Sequence, residues 1–148
     1  MRRSIAALAQ ICKKEDGQLR WLAQWNPNWK AFSFVGGHKR AEESFRECMV
    51  REIGEELGLV EGTDFVMAGT PAAHLEYNAW SHGAREETAY TMELFDVQLE
   101  PSARAAIEAN SANRWLSEDE IRTGRSADGR PVSETVSLIL TKARVLPV

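Results

Sequence analysis

The segment between Gly36-Gly37 and Gly58 constrains this chain more than any other. Phe45, Met49, Ile53 and Leu57 recur every four residues, and Val50 widens the apolar stripe they form. That period predicts an amphipathic helix over about 41–57, with Gly58 where a C-terminal cap glycine belongs. Such a helix must bury its stripe against another element. Beside the stripe, at 100° per residue, Glu52, Glu55 and Glu56 fall within an arc of about 100°. Like charges at that spacing repel by a few tenths of a kcal/mol per pair, so the arrangement is unfavourable alone. A hard divalent cation reverses the sign, because Mg²⁺ and Mn²⁺ take oxygen ligands and often share them with substrate phosphates. A bare Glu-x-x-Glu-Glu is more often a solvated helix face, so the residues around it decide.

Those residues run Gly37, five positions, Glu43, seven positions, Arg51-Glu52, aliphatic Ile53, one position, Glu55-Glu56, one position, Gly58 and aliphatic Leu59. At every fixed position this resembles the signature of the Nudix hydrolases. Its fixed residues and two aliphatics would coincide by chance roughly once in 10⁷ to 10⁸ chains of this length. The match covers 23 of the 148 residues. The resemblance implies an α/β fold, a three-layer α/β/α sandwich with a mixed β-sheet, in which the box forms a loop, helix, loop unit. It also implies Mg²⁺ (or Mn²⁺) held by Glu52, Glu55 and Glu56, with Gly37 lending its backbone carbonyl. Glu52, our candidate for the base that activates water, and Arg51 are the expected catalytic residues, and the resemblance implies that Arg51 pairs with Glu43 to steady loop and helix. Arg51 also lies one turn from Glu47 and Glu55, where it can orient a ligand carboxylate. Two positions depart from the common family pattern. Val35, rather than Pro, precedes the two glycines, and Glu42, rather than Gly, precedes Glu43. Both bear on loop stiffness, and so on substrate choice more than on activity.

The flanking sequence supplies a sheet. Residues 4–12 and 18–25 are apolar runs joined by Lys14-Glu15-Asp16-Gly17, a hairpin signal. The opening residues briefly resemble a secretory signal, but the run stops at Gln10 before Lys13 and Lys14, so it reads as a first strand. Asn26-Pro27-Asn28 breaks the second strand, and 32–35 alternates briefly. Further strands are expected near 64–80 and 88–99, separated by the polar 81–85, and a short one at 114–116. Short helices are expected over 101–109 and after Ser117, whose spacing to Glu120 is that of a capping box. Asp128-Gly129-Arg130-Pro131 reads as a turn, and 132–145 as a closing amphipathic helix. With no internal repeat or linker, residues 1–148 read as a single domain.

Composition narrows the partners. A formal net charge of −4 argues against duplex nucleic acid, whose backbone is gripped by clustered Lys and Arg. A small nucleotide-like diphosphate remains open if a metal and a few local cations offset its charge. Two cysteines, Cys12 and Cys48, do not make a disulfide scaffold, and Cys48 reads as packing. No stretch approaches the roughly 20 apolar residues that span a membrane, so the reading is a cytoplasmic protein with no membrane partner; a homodimer is left open.

Outside the box, Lys39 and Arg40, with Lys30 and Arg46, are candidate phosphate cations. Trp25 and Trp29, near Phe32, are candidates to stack on a base, although core packing suits them equally. Family members often carry a further acid ahead of a strand like that of Trp115. Glu108 is the nearest candidate here, and Glu86 and Glu87 compete with it. His38, His74 and His82 are too scattered to form a metal set. Tyr77 lies after the box at about the distance that marks some diadenosine polyphosphate hydrolases. The expected activity is metal-dependent hydrolysis of a phosphoanhydride bond in a nucleoside diphosphate linked to another moiety. Its rivals are a catalytically silent nucleotide-binding regulator of the same fold and an RNA pyrophosphohydrolase that removes 5′ phosphates.

Overall fold

Asp16 and Gly17 both take positive φ, 52° and 78°, and turn the chain between β1 (Arg2–Glu15) and β2 (Gln18–Asn26). The computed structural model describes residues 1–147; Val148, the last residue of the expected domain, lies outside them. Two short strands follow, β3 (Ala31–Ser33) and β4 (Gly36–His38), then α1 (Phe45–Leu57). Beyond it come β5 (Phe65–Met67), β6 (Ala73–Ser81) and β7 (Glu86–Leu99). The chain closes with α2 (Ala103–Ala109), β8 (Asn113–Ser117), α3 (Glu118–Thr123) and α4 (Glu134–Lys142).

β1 is the hub of the sheet. Its residues from Arg2 to Ile11 run parallel to β7, while Ala6–Leu8 pair antiparallel with β4 and Cys12–Glu15 with β2. β2 also takes β3 and β8, and β7 takes β5 and β6, all antiparallel. The sheet is mixed, as expected, and helices cover both faces. On one face Ala7, Ala9, Phe95 and Val97 are buried with Met49 and Ile53 of α1 and Ile107 of α2. On the other, Ala6, Met92 and Leu94 are buried with Ile121 of α3 and Val136, Ile139 and Leu140 of α4. Strand alternation sorts the two cores.

Several sequence boundaries move. The helical pattern suggested a start near 41, but α1 begins at Phe45, because Ser44 and Glu47 form a complete capping box there. Its stripe is widened by fully buried Cys48 rather than by Val50, which is only half-buried. The single strand expected over 64–80 is two, β5 and β6, with Gly69-Thr70-Pro71 between them; Pro cannot donate to a ladder. The closing helix spans 134–142 rather than 132–145, starting where the Ser133 side chain accepts from the Thr135 amide. Both cysteines are free. No helix is long and apolar enough to cross a membrane among the described residues.

Candidate active site

β4 holds the two glycines against β1, where the backbone leaves no room for a side chain at Gly36, and one at Gly37 would have to displace the Glu52 carboxylate. A Cβ on Gly36 would sit 2.2 Å from the Ala7 carbonyl oxygen, and one on Gly37 would sit 2.5 Å from the nearer Glu52 carboxylate oxygen. The volume a residue 37 side chain would take is therefore filled by an acid from α1. This close approach is what the packed apolar stripe of α1 achieves: Met49 and Ile53, both fully buried, fix the helix on β1 and β4.

Arg51 ties the acids together. Its Nε and Nη2 donate to the two oxygens of Glu43 at 3.0 and 2.6 Å, and Nη1 donates to Glu52 at 2.9 Å and Glu55 at 3.3 Å. Nη2 also reaches the His38 carbonyl, at 3.1 Å, so one guanidinium joins the loop to the helix. The forked pair with Glu43 is the geometry arginine favours. It holds the Glu43 carboxyl at about 2, with the Arg40 amide adding a hydrogen bond. Glu47, also one turn from Arg51, is not part of this set. Its carboxylate turns back to the Ser44 amide at 2.8 Å to complete the cap.

Glu56 accepts a hydrogen bond from the Gly36 amide at 3.0 Å. Burial nevertheless raises its pKa to about 7, and the negative charges of Glu52 and Glu55 push the same way. Glu55 is exposed, with Arg40 3.9 Å away. Among the described residues no three acidic, His or Cys side chains converge as a ready-made metal cluster. The donor set still fits a hard divalent cation. Among the described residues Glu52, Glu55 and Glu56 lie on one helix face beside Gly37, no Lys or Arg pairs with Glu56, and the thiol that meets the Gly37 carbonyl is protonated. That thiol, Cys48, donates to the Gly37 carbonyl at 3.5 Å, and burial and then Glu43 raise it to about 11. It is not a thiolate ligand at neutral pH.

The other expected residues are dispersed. Arg40 stands beside Glu55, whereas the Lys39 ammonium lies over the Phe45 ring, 5.8 Å from its centroid. Arg46 is committed elsewhere: it pairs with Glu61 and donates to the Met67 and Ala68 carbonyls, so it fastens α1 to β5 rather than facing the acids. Lys30 sits in the β2–β3 turn with φ 52°, and Trp29 beside it is 58% exposed. Trp25 is half-buried and meets Phe32 edge-on at 5.2 Å, with Arg130 over both rings. Tyr77 is stacked on Tyr90 at 5.2 Å, with Lys142 over its ring. His38, His74 and His82 have separate partners, Ser4, Glu93 and Glu134.

Glu86 and Glu87 are exposed at the start of β7, roughly 20 Å of strand away from Glu93, the residue level with Ala7 and hence with Gly37. Glu108 is exposed on α2. Its segment is linked to the box by two residues that sequence reasoning passed over. Gln24 donates to the Glu56 carbonyl at 3.1 Å and to the Asn113 side chain at 2.9 Å, and Asn113 donates to the Ile107 carbonyl at 3.0 Å. A glutamine amid the apolar run of β2 was the available signal.

A family model described as the NUDIX domain matches residues 2–136. Among solved structures, an Ap4A hydrolase from C. elegans superposes with a TM-score of 0.63 at 18% identity, over 98% of each chain. A NUDIX hydrolase from Nitrosomonas europaea gives 0.59 at 20% identity, over 97% of this chain and 90% of its own. NrtR from Shewanella oneidensis, solved with a 27mer DNA, gives 0.65 at 16% identity, over 95% of this chain but only 60% of its own. No curated protein matches by sequence.

Proposed function

The chain belongs to the Nudix family of anhydride hydrolases, and we propose that it cleaves a phosphoanhydride bond in a nucleoside diphosphate linked to another moiety, using a divalent metal. The observation that carries this reading is the Glu52 carboxylate lying where a side chain at Gly37 would be, clasped by an Arg51 that also binds Glu43 and the loop. Glu52, Glu55 and Glu56, with the Gly37 carbonyl, would hold Mg²⁺ or Mn²⁺. Such an ion supplies charge neutralisation at a diphosphate bridge and acidifies an attacking water.

The protein's own residues would do the rest. Glu52 takes the proton from the water as it attacks phosphorus in line with the leaving phosphate. Arg51 does not meet the reacting atoms; it fixes the direction of the Glu52 and Glu55 carboxylates. Arg40, beside Glu55, meets a phosphate oxygen. Trp25, backed by Phe32 and capped by Arg130, offers a surface to a base. Glu108 is the proposed additional acid, on the segment that Asn113 and Gln24 tie to the end of α1. A substrate of this size suits a cytoplasmic protein of net charge −4 better than duplex DNA does.

The test is turnover of a panel of nucleotide diphosphates and 5′-triphosphorylated RNA with Mg²⁺, Mn²⁺ or EDTA. Metal-dependent release of a nucleoside monophosphate from at least one small substrate supports the proposal. Binding without turnover across the panel would instead support a silent regulator, and turnover of the RNA alone would transfer the chemistry to the larger substrate.

A further inference from the structure

β1 and β7 run side by side until Gln10 pairs with Asp96 and Ile11 with Val97; from Cys12 onward β1 pairs with β2 and the two strands part. Past this fork Gln98 and Leu99 of β7 pair with β5, on their far side. A hollow of about 440 Å³ lies where the strands part, with Gln10, Cys12, Asp96, Leu99, Arg104 of α2 and Trp115 of β8 in its lining. It opens at the carboxyl ends of a parallel pair, the kind of crevice in which open α/β sheets hold ligands. It also stands apart from the box. Gln10 lies beyond Ala7, the partner of Gly37, and strand alternation sends its side chain to the other face of the sheet.

One group in this lining is left without a partner. Gln10 is only 9% exposed, its Nε2 donates to the Asp96 carboxylate, and its Oε1 is buried with no hydrogen bond among the described residues. The amide cannot turn over to relieve this, because its oxygen would then face a carboxylate, which only accepts. A donor entering the hollow would restore the hydrogen bond that this oxygen lost on burial. Asp96 is the one acid in the lining and Arg104, exposed on α2, the one cation, so the hollow carries one charge of each sign. One carboxylate and one amide oxygen are few for a metal ion but suit the three N–H bonds of an ammonium. Leu99 and Trp115, both half-buried, add an apolar wall. We propose that the fork binds a free α-amino acid with an aliphatic side chain. Its ammonium donates to Gln10 Oε1 and the Asp96 carboxylate, its carboxylate meets Arg104, and its side chain lies against Leu99 and Trp115. The site is independent of the chemistry proposed for the box.

Calorimetric titration of the full chain with millimolar leucine tests this, with thermal melts to confirm that each variant folds. Leucinamide lacks the carboxylate and N-acetylleucine lacks the ammonium. Leucine should bind, and each analogue should bind about tenfold or more weakly, the loss expected for one charge-assisted contact. Gln10→Leu, of similar shape but without the acceptor, should weaken leucine by about tenfold. Arg104→Gln, at an exposed position that folding does not depend on, should weaken leucine to the same degree and leave leucinamide unchanged. No binding of leucine, N-acetylleucine bound as tightly as leucine, a folded Gln10→Leu with parental affinity, or Arg104→Gln with parental affinity would each overturn the proposal.

Discussion

Arg51 and Glu52 are adjacent in sequence yet serve the site from different directions, one through its fork and one through its position over Gly37. Arg51→Lys keeps the charge but has a single ammonium to replace contacts to Glu43, Glu52, Glu55 and the His38 carbonyl. We expect lower kcat and a lower melting temperature; a variant equal to the parent in both would remove the positioning role. Glu52→Gln preserves the shape of the side chain but cannot accept a proton. Losing general-base assistance should lower single-turnover kcat by about 10²–10⁴-fold while metal-dependent substrate binding largely survives. Glu86→Gln and Glu87→Gln should leave kcat nearly unchanged, and Glu108→Gln should lower it less than Glu52→Gln does. Should Glu52→Gln retain the acid limb of the pH profile while Glu108→Gln abolishes it, the base lies on the α2 segment. The acids and Arg51 could be read at this scale because their spacing is fixed by one helix. Gln24 and Asn113 could not, since their link to Glu56 joins strands far apart in the chain.

Among the elements, those with a local physical cause were legible. Asp16-Gly17 turns, Gly58 ends α1 with φ 69°, and Ser117 with Glu120 caps α3, each a rule that acts over a few residues. The capping box at Ser44 and Glu47 obeys the same rule but was hidden by an apolar pattern read from further upstream. It makes a direct prediction. Ser44→Ala removes the side-chain acceptor for the Glu47 amide, 3.0 Å away, and should cost about 1 kcal/mol of stability. The loss should appear as a lower melting temperature with near-parental activity well below it. A variant that melts like the parent would mean that the Ile53 and Met49 packing, rather than the cap, sets where α1 begins. The missed break between β5 and β6 has both kinds of cause: Pro71 interrupts the ladder locally, and the two segments pair with the same strand, β7, at different heights.

At the scale of the whole molecule, strands interspersed with helices suggested a layered α/β domain and the Nudix resemblance implied the α/β/α layers, but neither marked the route of the chain. β1 leaves β7 after Ile11 and continues with β2 from Cys12, so one strand serves two parts of the sheet; nothing in its alternation marks the change. The fold's response to pH is a consequence of that assembly, because it is packing of α1 on the sheet that buries Glu56. Its pKa rises from the ordinary 4.5 to about 7, chiefly by burial. Between those values the folded chain holds this proton more tightly than the unfolded chain does. Stability of the metal-free protein should therefore fall as pH rises through the window and level off above about 7. Glu43, held at about 2 by Arg51, works in the other direction but only below 4.5, so the two do not overlap. Glu56→Gln has no proton to lose. In EDTA its melting temperature should gain on the parent's from about pH 5 to about pH 8. Saturating Mg²⁺ should reverse the comparison at the upper end, since a ligand that binds only the folded state stabilises it and the variant has lost one ligand charge. Parallel melting curves for parent and variant across the window in EDTA would show that Glu56 is not the buried acid assigned here.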